Sequence, residues 1–314
     1  MLGKTANSIF WMFRYLERAE NTARLLEAGF RMALTRGVEA GNEEWRSVIV
    51  TLGMQRAYEA VHSEYNGTQV CNFVLRDREN SENVLAMIEG ARSNARAART
   101  SITAEVWESV NEAWMMLRDT LQRPVREANL GTVLSAIRRE ATHVRGATYG
   151  SMLRNEIYHF SRSGTFLERA DNTARILDVK YYLLLPSLAY VGSSLDSGQW
   201  DNVLRSLSAE RAYRWLNAGR MDPRGIAEFL ILDRRFPRSL AFCYDALKGN
   251  LGDLAELHGG RGECHALMRE AGRRLNEATI DSILETGLHQ FLLGFIADNQ
   301  AIAAAIASDY RFID

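Results

Sequence analysis

Eleven residues near the start of the chain return almost unchanged near its middle. Leu16-Glu17-Arg18-Ala19-Glu20-Asn21-Thr22-Ala23-Arg24-Leu25-Leu26 reappears as Leu167-Glu168-Arg169-Ala170-Asp171-Asn172-Thr173-Ala174-Arg175-Ile176-Leu177. Nine of the eleven positions are identical, and the other two exchange Glu for Asp and Leu for Ile. The copies lie 151 residues apart in a chain of 314. Such a match constrains the fold more than any bulk property, because it predicts that one structural unit occurs twice.

Weaker matches follow in the same order. Met1-Leu2 meets Met152-Leu153 at the same offset. Trp45, Val48, Leu52 and Arg56-Ala57-Tyr58 meet Trp200, Val203, Leu207 and Arg211-Ala212-Tyr213 at an offset of 155. At 156, Phe73, Asp77 and Asn94 meet Phe229, Asp233 and Asn250. An offset that grows slowly in one direction is what a duplicated domain with small loop changes produces. The expected organisation is two pseudo-symmetric halves, 1–150 and 151–314, packed as one compact helical bundle.

Apolar residues recur at three- and four-residue spacing throughout, and strand-like alternation is nearly absent, so the fold class is all-α. In the first half the pattern predicts helices over about Ala6–Thr35, ending near Gly37, and over Glu43–Tyr65. Further helices are expected over Thr68–Arg76, from a Ser81 cap to Arg99, over Ser101–Leu121 and over Asn129–Ala147. Asn66-Gly67 reads as a turn and Pro124 as a stop. In the second half, expected to begin near Gly150, helices are predicted over Met152–Leu185 and Gln199–Leu216, with a loop from Gly192 to Gly198. Asp222-Pro223 has the form of an N-cap followed by proline at the first helical position. Phe236-Pro237 opens a helix to about Leu257, the Gly259-Gly260-Arg261-Gly262 run is a turn, and two more helices fill the remainder.

At 100° per residue, Leu16, Ala19, Ala23 and Leu26 form a narrow apolar stripe whose two alanines suit close helix approach. Glu17, Glu20, Asn21 and Arg24 lie on the adjoining face, while Arg18 points elsewhere. Neighbours in sequence do not face each other on a helix, so Glu17 and Arg18 need partners from another element. A pseudo-twofold arrangement predicts crossed pairs, Glu17 with Arg169 and Arg18 with Glu168. In the structural reading, such pairs lock the halves in register. In the functional reading, the same faces line a cleft in which arginines hold a carboxylate or phosphate and glutamates hold an amine. The binding candidates are therefore Glu17, Arg18, Asn21, Arg24, Glu168, Arg169, Asn172 and Arg175. The repeated Arg56, Tyr58, Arg211 and Tyr213 join them, together with His159, a candidate proton carrier.

Composition narrows the remaining classes. Net charge is −1, which supplies no general attraction to nucleic acid or anionic membrane. Cys71, Cys243 and Cys264 are odd in number and widely spaced, which points to a reducing compartment rather than a disulfide framework. Cys264-His265 has no companion pair at zinc spacing. Glu140 with His143, and Glu285 with His289, occur once each and read as surface polar pairs, so neither metal nor cofactor is expected. No P-loop, nucleophile elbow or kinase-like set occurs. No leader pattern opens the chain, and the longest apolar stretch, near Tyr181–Leu185, is too short to span a bilayer and ends at Pro186. A cytoplasmic protein is expected.

The two motif copies, with Tyr15 before the first and Met152-Leu153-Arg154-Asn155-Glu156-Ile157-Tyr158-His159-Phe160 ahead of the second, resemble the bacterial alpha-E family over essentially the whole chain. That family is an all-helical domain with a Glu-Arg motif. Its members are often encoded beside, or fused to, circularly permuted ATP-grasp proteins and transglutaminase-like proteins. The resemblance implies an accessory or substrate-binding subunit of an ATP-grasp-dependent system that forms peptide or amide bonds, with a peptide or small anionic ligand. The alternative is a stand-alone enzyme using Glu17 or Glu168 as acid or base on a peptide-like substrate, which requires a carboxyl of raised pKa in a closed cleft.

Overall fold

A computed structural model describes residues 3–36, 38–183 and 194–312, and the regular elements among them are all helical. The chain divides into two compact units, Trp11–Leu153 and a second formed by Met1–Phe10 with Arg154–Asp314. Among the described residues, seven α-helices precede the division at residue 153: α1 (Gly3–Arg36), α2 (Val38–Thr51), α3 (Gln55–Glu59), α4 (Gly67–Leu75), α5 (Val84–Ala97), α6 (Ala104–Leu121) and α7 (Glu127–Ser151), with one 3-10 turn at Arg99–Ser101. Those after it are α8 (Glu156–Leu183), α9 (Ser194–Ser206), α10 (Glu210–Leu216), α11 (Pro223–Leu232), α12 (Leu240–His258), α13 (Glu263–Glu277), α14 (Ile280–Thr286) and α15 (Leu288–Asp309). Met1-Leu2, Gly37, the stretch from Leu184 to Pro186 and Gly192 lie outside the described residues.

Helix starts follow from side chains that accept otherwise orphaned backbone N–H groups. Asn66, Asn83, Thr103, Asp222, Ser239 and Thr279 each accept the N–H three residues on, opening α4, α5, α6, α11, α12 and α14. Gly259 ends α12 in the left-handed conformation at φ 73°, where a residue without Cβ carries no steric cost.

The structure corrects several expected boundaries. The helix expected over Glu43–Tyr65 breaks at Gly53 (φ 72°), so Arg56 and Tyr58 sit on the separate short α3. The helix expected over Gln199–Leu216 breaks likewise at Ser208 (φ 54°), which places Arg211 and Tyr213 on α10. Helical periodicity runs through both positions, and serine rarely marks positive φ. The cap of α5 is Asn83 rather than Ser81, because Asn83 also donates to the Asp77 carbonyl and closes the turn before it. Ser239, which donates to the Asp233 carbonyl, caps α12, so Phe236-Pro237 lies in a turn rather than opening the helix. Helix α7 continues to Ser151 and α8 begins only at Glu156, so Met152 to Asn155 connect the two. Ser194 to Gly198 belong to α9 instead of a loop, and Gly287 (φ 97°) divides the final segment so that three helices follow Gly262.

In the first unit α6 packs on α5 and α7, with Ala91, Ala95, Val110, Leu117, Leu134 and Ile137 fully buried. In the second, α8 packs on α12 and α15, and α13 packs on both of those. The motif stripes are core: Leu16, Ala19, Ala23 and Leu26 are buried, as are Leu167, Ala170, Ala174 and Leu177. One described helix, α15, is long and apolar enough to cross a membrane by length and composition, a longer apolar stretch than the one read near Tyr181. Its Leu292, Phe295, Ile302 and Ile306 are buried within the unit, and the buried Asn299 donates to the Leu167 carbonyl of α8.

Candidate functional site

The first motif copy lies on α1. Glu17, Glu20 and Asn21 are buried there, Arg18 is half-buried, and the Arg24 side chain is 15% exposed. Glu20 holds the centre. Arg24, one helical turn on, donates to its Oε1 at 2.6 Å, and Arg145 from α7 donates to its Oε2 at 2.5 Å. The same Arg145 nitrogen reaches Glu17 at 3.5 Å, and its other terminal nitrogen donates to Thr142 at 3.1 Å. Two carboxylates thus share one guanidinium from a helix more than a hundred residues away, while Arg24 closes the other side of Glu20. Charge-assisted bonds of this kind are short and directional, and burial removes competing water.

The second copy lies on α8, with Glu168 and Arg169 buried and Asn172 and Arg175 half-buried. Arg175 donates to Asp171 at 2.6 Å, repeating the i,i+4 pair of Glu20 and Arg24. The Glu-for-Asp exchange therefore keeps the interaction. Arg169 donates to the Pro237 carbonyl at 3.3 Å and lies over the Phe166 ring, while Thr173 donates to the Arg238 carbonyl at 2.8 Å. These bonds satisfy carbonyls of the turn before α12 and fix that turn against the motif face. His159, at the start of α8, is buried beside Asn250 (3.0 Å) and Asp253 (3.3 Å) of α12.

The repeated Arg-Ala-Tyr triplets split by residue. Arg56 and Arg211 are exposed, whereas the tyrosines are buried. The Tyr58 hydroxyl donates to the Glu64 carbonyl just before α4, and the Tyr213 hydroxyl donates to the Asp222 carbonyl at the cap of α11. Each phenol latches the chain as it enters the next helix. Burial, with Tyr65 and Cys71 nearby, pushes the Tyr58 phenol up to about 12 from its ordinary 10.0. A proton held more tightly in the folded state gives stability that is fully present below pH 10.0 and is lost as pH rises through about 12. Tyr58→Phe, which cannot ionise, is expected to flatten part of the alkaline fall in stability across that window. Denaturant midpoints measured against pH check this, and unchanged steepness would count against it.

The sequence places Glu20 on the polar face of the motif, but the binding candidates drawn from it left out both Glu20 and Asp171, although each stands four residues before its arginine. They also left out Arg145, which no local spacing marks. Cys264 and His265 acquire a third neighbour, Asp309 of α15, whose ligand atom lies within 4.8 Å of theirs. These groups are already engaged. Asp309 accepts the Cys264 N–H at 2.8 Å, His265 Nδ1 accepts the Gly262 N–H at 3.0 Å, and Nε2 donates to the Leu251 carbonyl at 2.9 Å. Burial raises the Cys264 thiol, and the Asp309 carboxyl is held low because the bonds it accepts outweigh its own burial. The cluster caps α13, where the helix dipole favours an anion over a cation.

A family model matches residues 1–310, that of the Alpha-E family, described as a predicted alpha-helical domain with a conserved ER motif. No curated protein and no solved structure matches the chain. The chain belongs to the Alpha-E family.

Proposed function

We propose that this Alpha-E chain is a non-catalytic accessory or substrate-binding subunit of an ATP-grasp-dependent system that forms peptide or amide bonds. The observation that carries the non-catalytic reading is the state of the motif. The Glu20 carboxylate is fully buried and held by two guanidinium groups, and Glu17 shares one of them. A carboxylate so held is stabilised in its charged form and is a poor proton acceptor. The proposed partners, a circularly permuted ATP-grasp protein and a transglutaminase-like protein, rest on the family association. The exposed Arg56 and Arg211 are the motif-linked cations offered to an anionic partner group.

The two units are read as descendants of one duplicated helical unit. Supporting this are the i,i+4 carboxylate–arginine pair in each motif copy, the tyrosine latches and the helix breaks at Gly53 and Ser208. The three buried free cysteines fit a cytoplasmic setting.

Mild affinity capture from native lysate, followed by mass spectrometry, tests the reading. An ATP-grasp or transglutaminase-like protein should be retained by wild type and reduced with Arg56→Ala/Arg211→Ala at unchanged melting temperature. Retention of neither class overturns the accessory role. Turnover of a peptide by the purified chain, lost in a folded Glu17→Gln variant, would establish the enzymatic alternative.

A further inference from the structure

The first unit contains a cavity of about 380 Å³, within the range of small-molecule sites, that none of the motif residues lines. Its walls come from the end of α1, from α2, and from the N-termini of α4 and α7. Phe30, Leu34 and Leu130 supply apolar surface, and Leu34 is 60% exposed beside it.

Donors are grouped at one wall of the cavity, at the start of α4, while the Glu127 carboxylate stands at the start of α7. At the start of α4, the Asn66 side chain takes the N–H of Gln69 and the Asn66 carbonyl takes that of Val70. The N–H groups of Gly67 and Thr68 come before the first intrahelical bond, so the helix supplies them no acceptor. Trp45 lines the same wall and is 5% exposed, and its indole N–H has no hydrogen-bond partner among the described residues. The indole nitrogen is not one of the fully buried unpaired polar atoms, so it remains reachable from the cavity. The indole nitrogen lies close over Gly67, where a Cβ would come within 2.8 Å of it, so glycine permits this approach. Three N–H donors thus gather at one wall, reinforced by the positive end of α4 and by the exposed Arg126 at the start of α7.

Donors without a matching acceptor call for an anion, and the adjoining apolar wall calls for an apolar substituent on it. Glu127, beside Arg126 on the rim, disfavours a doubly charged phosphate over a carboxylate. We propose that this cavity binds a small carboxylate-bearing molecule, its carboxylate against Gly67, Thr68 and Trp45 and its aliphatic or aromatic group against Phe30, Leu34 and Leu130. This site does not depend on the proposed pathway.

Calorimetric titration of the purified chain tests it, using 3-phenylpropionate and 4-methylpentanoate as probes. 3-Phenylpropionamide and inorganic phosphate serve as controls. Saturable binding of at least one carboxylate is expected, weakened about tenfold or more when the amide replaces it. Gly67→Ala, which drives a methyl into the indole, should weaken binding by a similar factor. Arg126→Ala, a surface change that leaves the fold intact, should weaken it less and steepen no other property. The proposal is overturned by the absence of saturable carboxylate binding in the millimolar range, by equal binding of the amide, by preferential binding of phosphate, or by binding that neither substitution alters. Because the chain is titrated alone, these outcomes are independent of whether a partner is captured from lysate.

Discussion

Glu20→Gln is expected to lower the unfolding free energy by about 3–5 kcal/mol, far more than an ordinary surface ion pair contributes. Glutamine matches the glutamate in size, so no cavity forms. The loss comes from charge: Arg24 and Arg145, with side chains 15% and 27% exposed, would face a neutral amide in place of the carboxylate between them. Their remaining access to water places the result toward the lower end of the range. The equivalent pair of the second copy is more open, with the Arg175 side chain 38% exposed, so Asp171→Asn should cost only about 1 kcal/mol or less. Denaturant unfolding of both variants provides the comparison. A Glu20→Gln cost no larger than that of Asp171→Asn would show that the buried network is not what the motif contributes.

The second large effect belongs to the tyrosine latches. Tyr58→Ala and Tyr213→Ala should each cost about 3–5 kcal/mol, because each removes an almost fully buried ring from an aromatic cluster. Tyr58 stands edge-on to Phe73, and Tyr213 packs against Phe229 in the same manner. Tyr→Phe at either site should cost about 1–2 kcal/mol, since it leaves the Glu64 or Asp222 carbonyl without its phenol donor. The difference between the alanine and phenylalanine variants separates packing from the latch. Equal losses for both variants would mean that the hydroxyl, not the ring, holds these turns.

Some of this was legible in the residues. The α1 and α8 cores follow from the spacing of Leu16, Ala19, Ala23 and Leu26 and of their counterparts, and both stripes are buried. Asp222-Pro223 opened its helix as expected, because an aspartate cap and a proline without an N–H are local chemistry. The breaks after Thr51 and Ser206 were not legible. Apolar periodicity runs through both, and a single residue in the left-handed region interrupts it. Asn83 and Ser239 displaced the expected starts for a similar reason, since each bonds backward to a carbonyl six residues earlier as well as forward to its helix.

The sequence by itself determined an all-helical chain, where its motif copies lie, and which residues of each copy are apolar, because those depend on periodicities of three to four residues and on direct comparison along the chain. Only the tertiary structure decided what the motif charges do. Glu17 and Glu20 meet an arginine 128 and 125 residues away on α7, and Arg169 meets the carbonyl of Pro237, 68 residues on. Burial and pairing of a charge depend on which distant elements pack around it, and a helical pattern read along one face carries no record of the helix that will cover it.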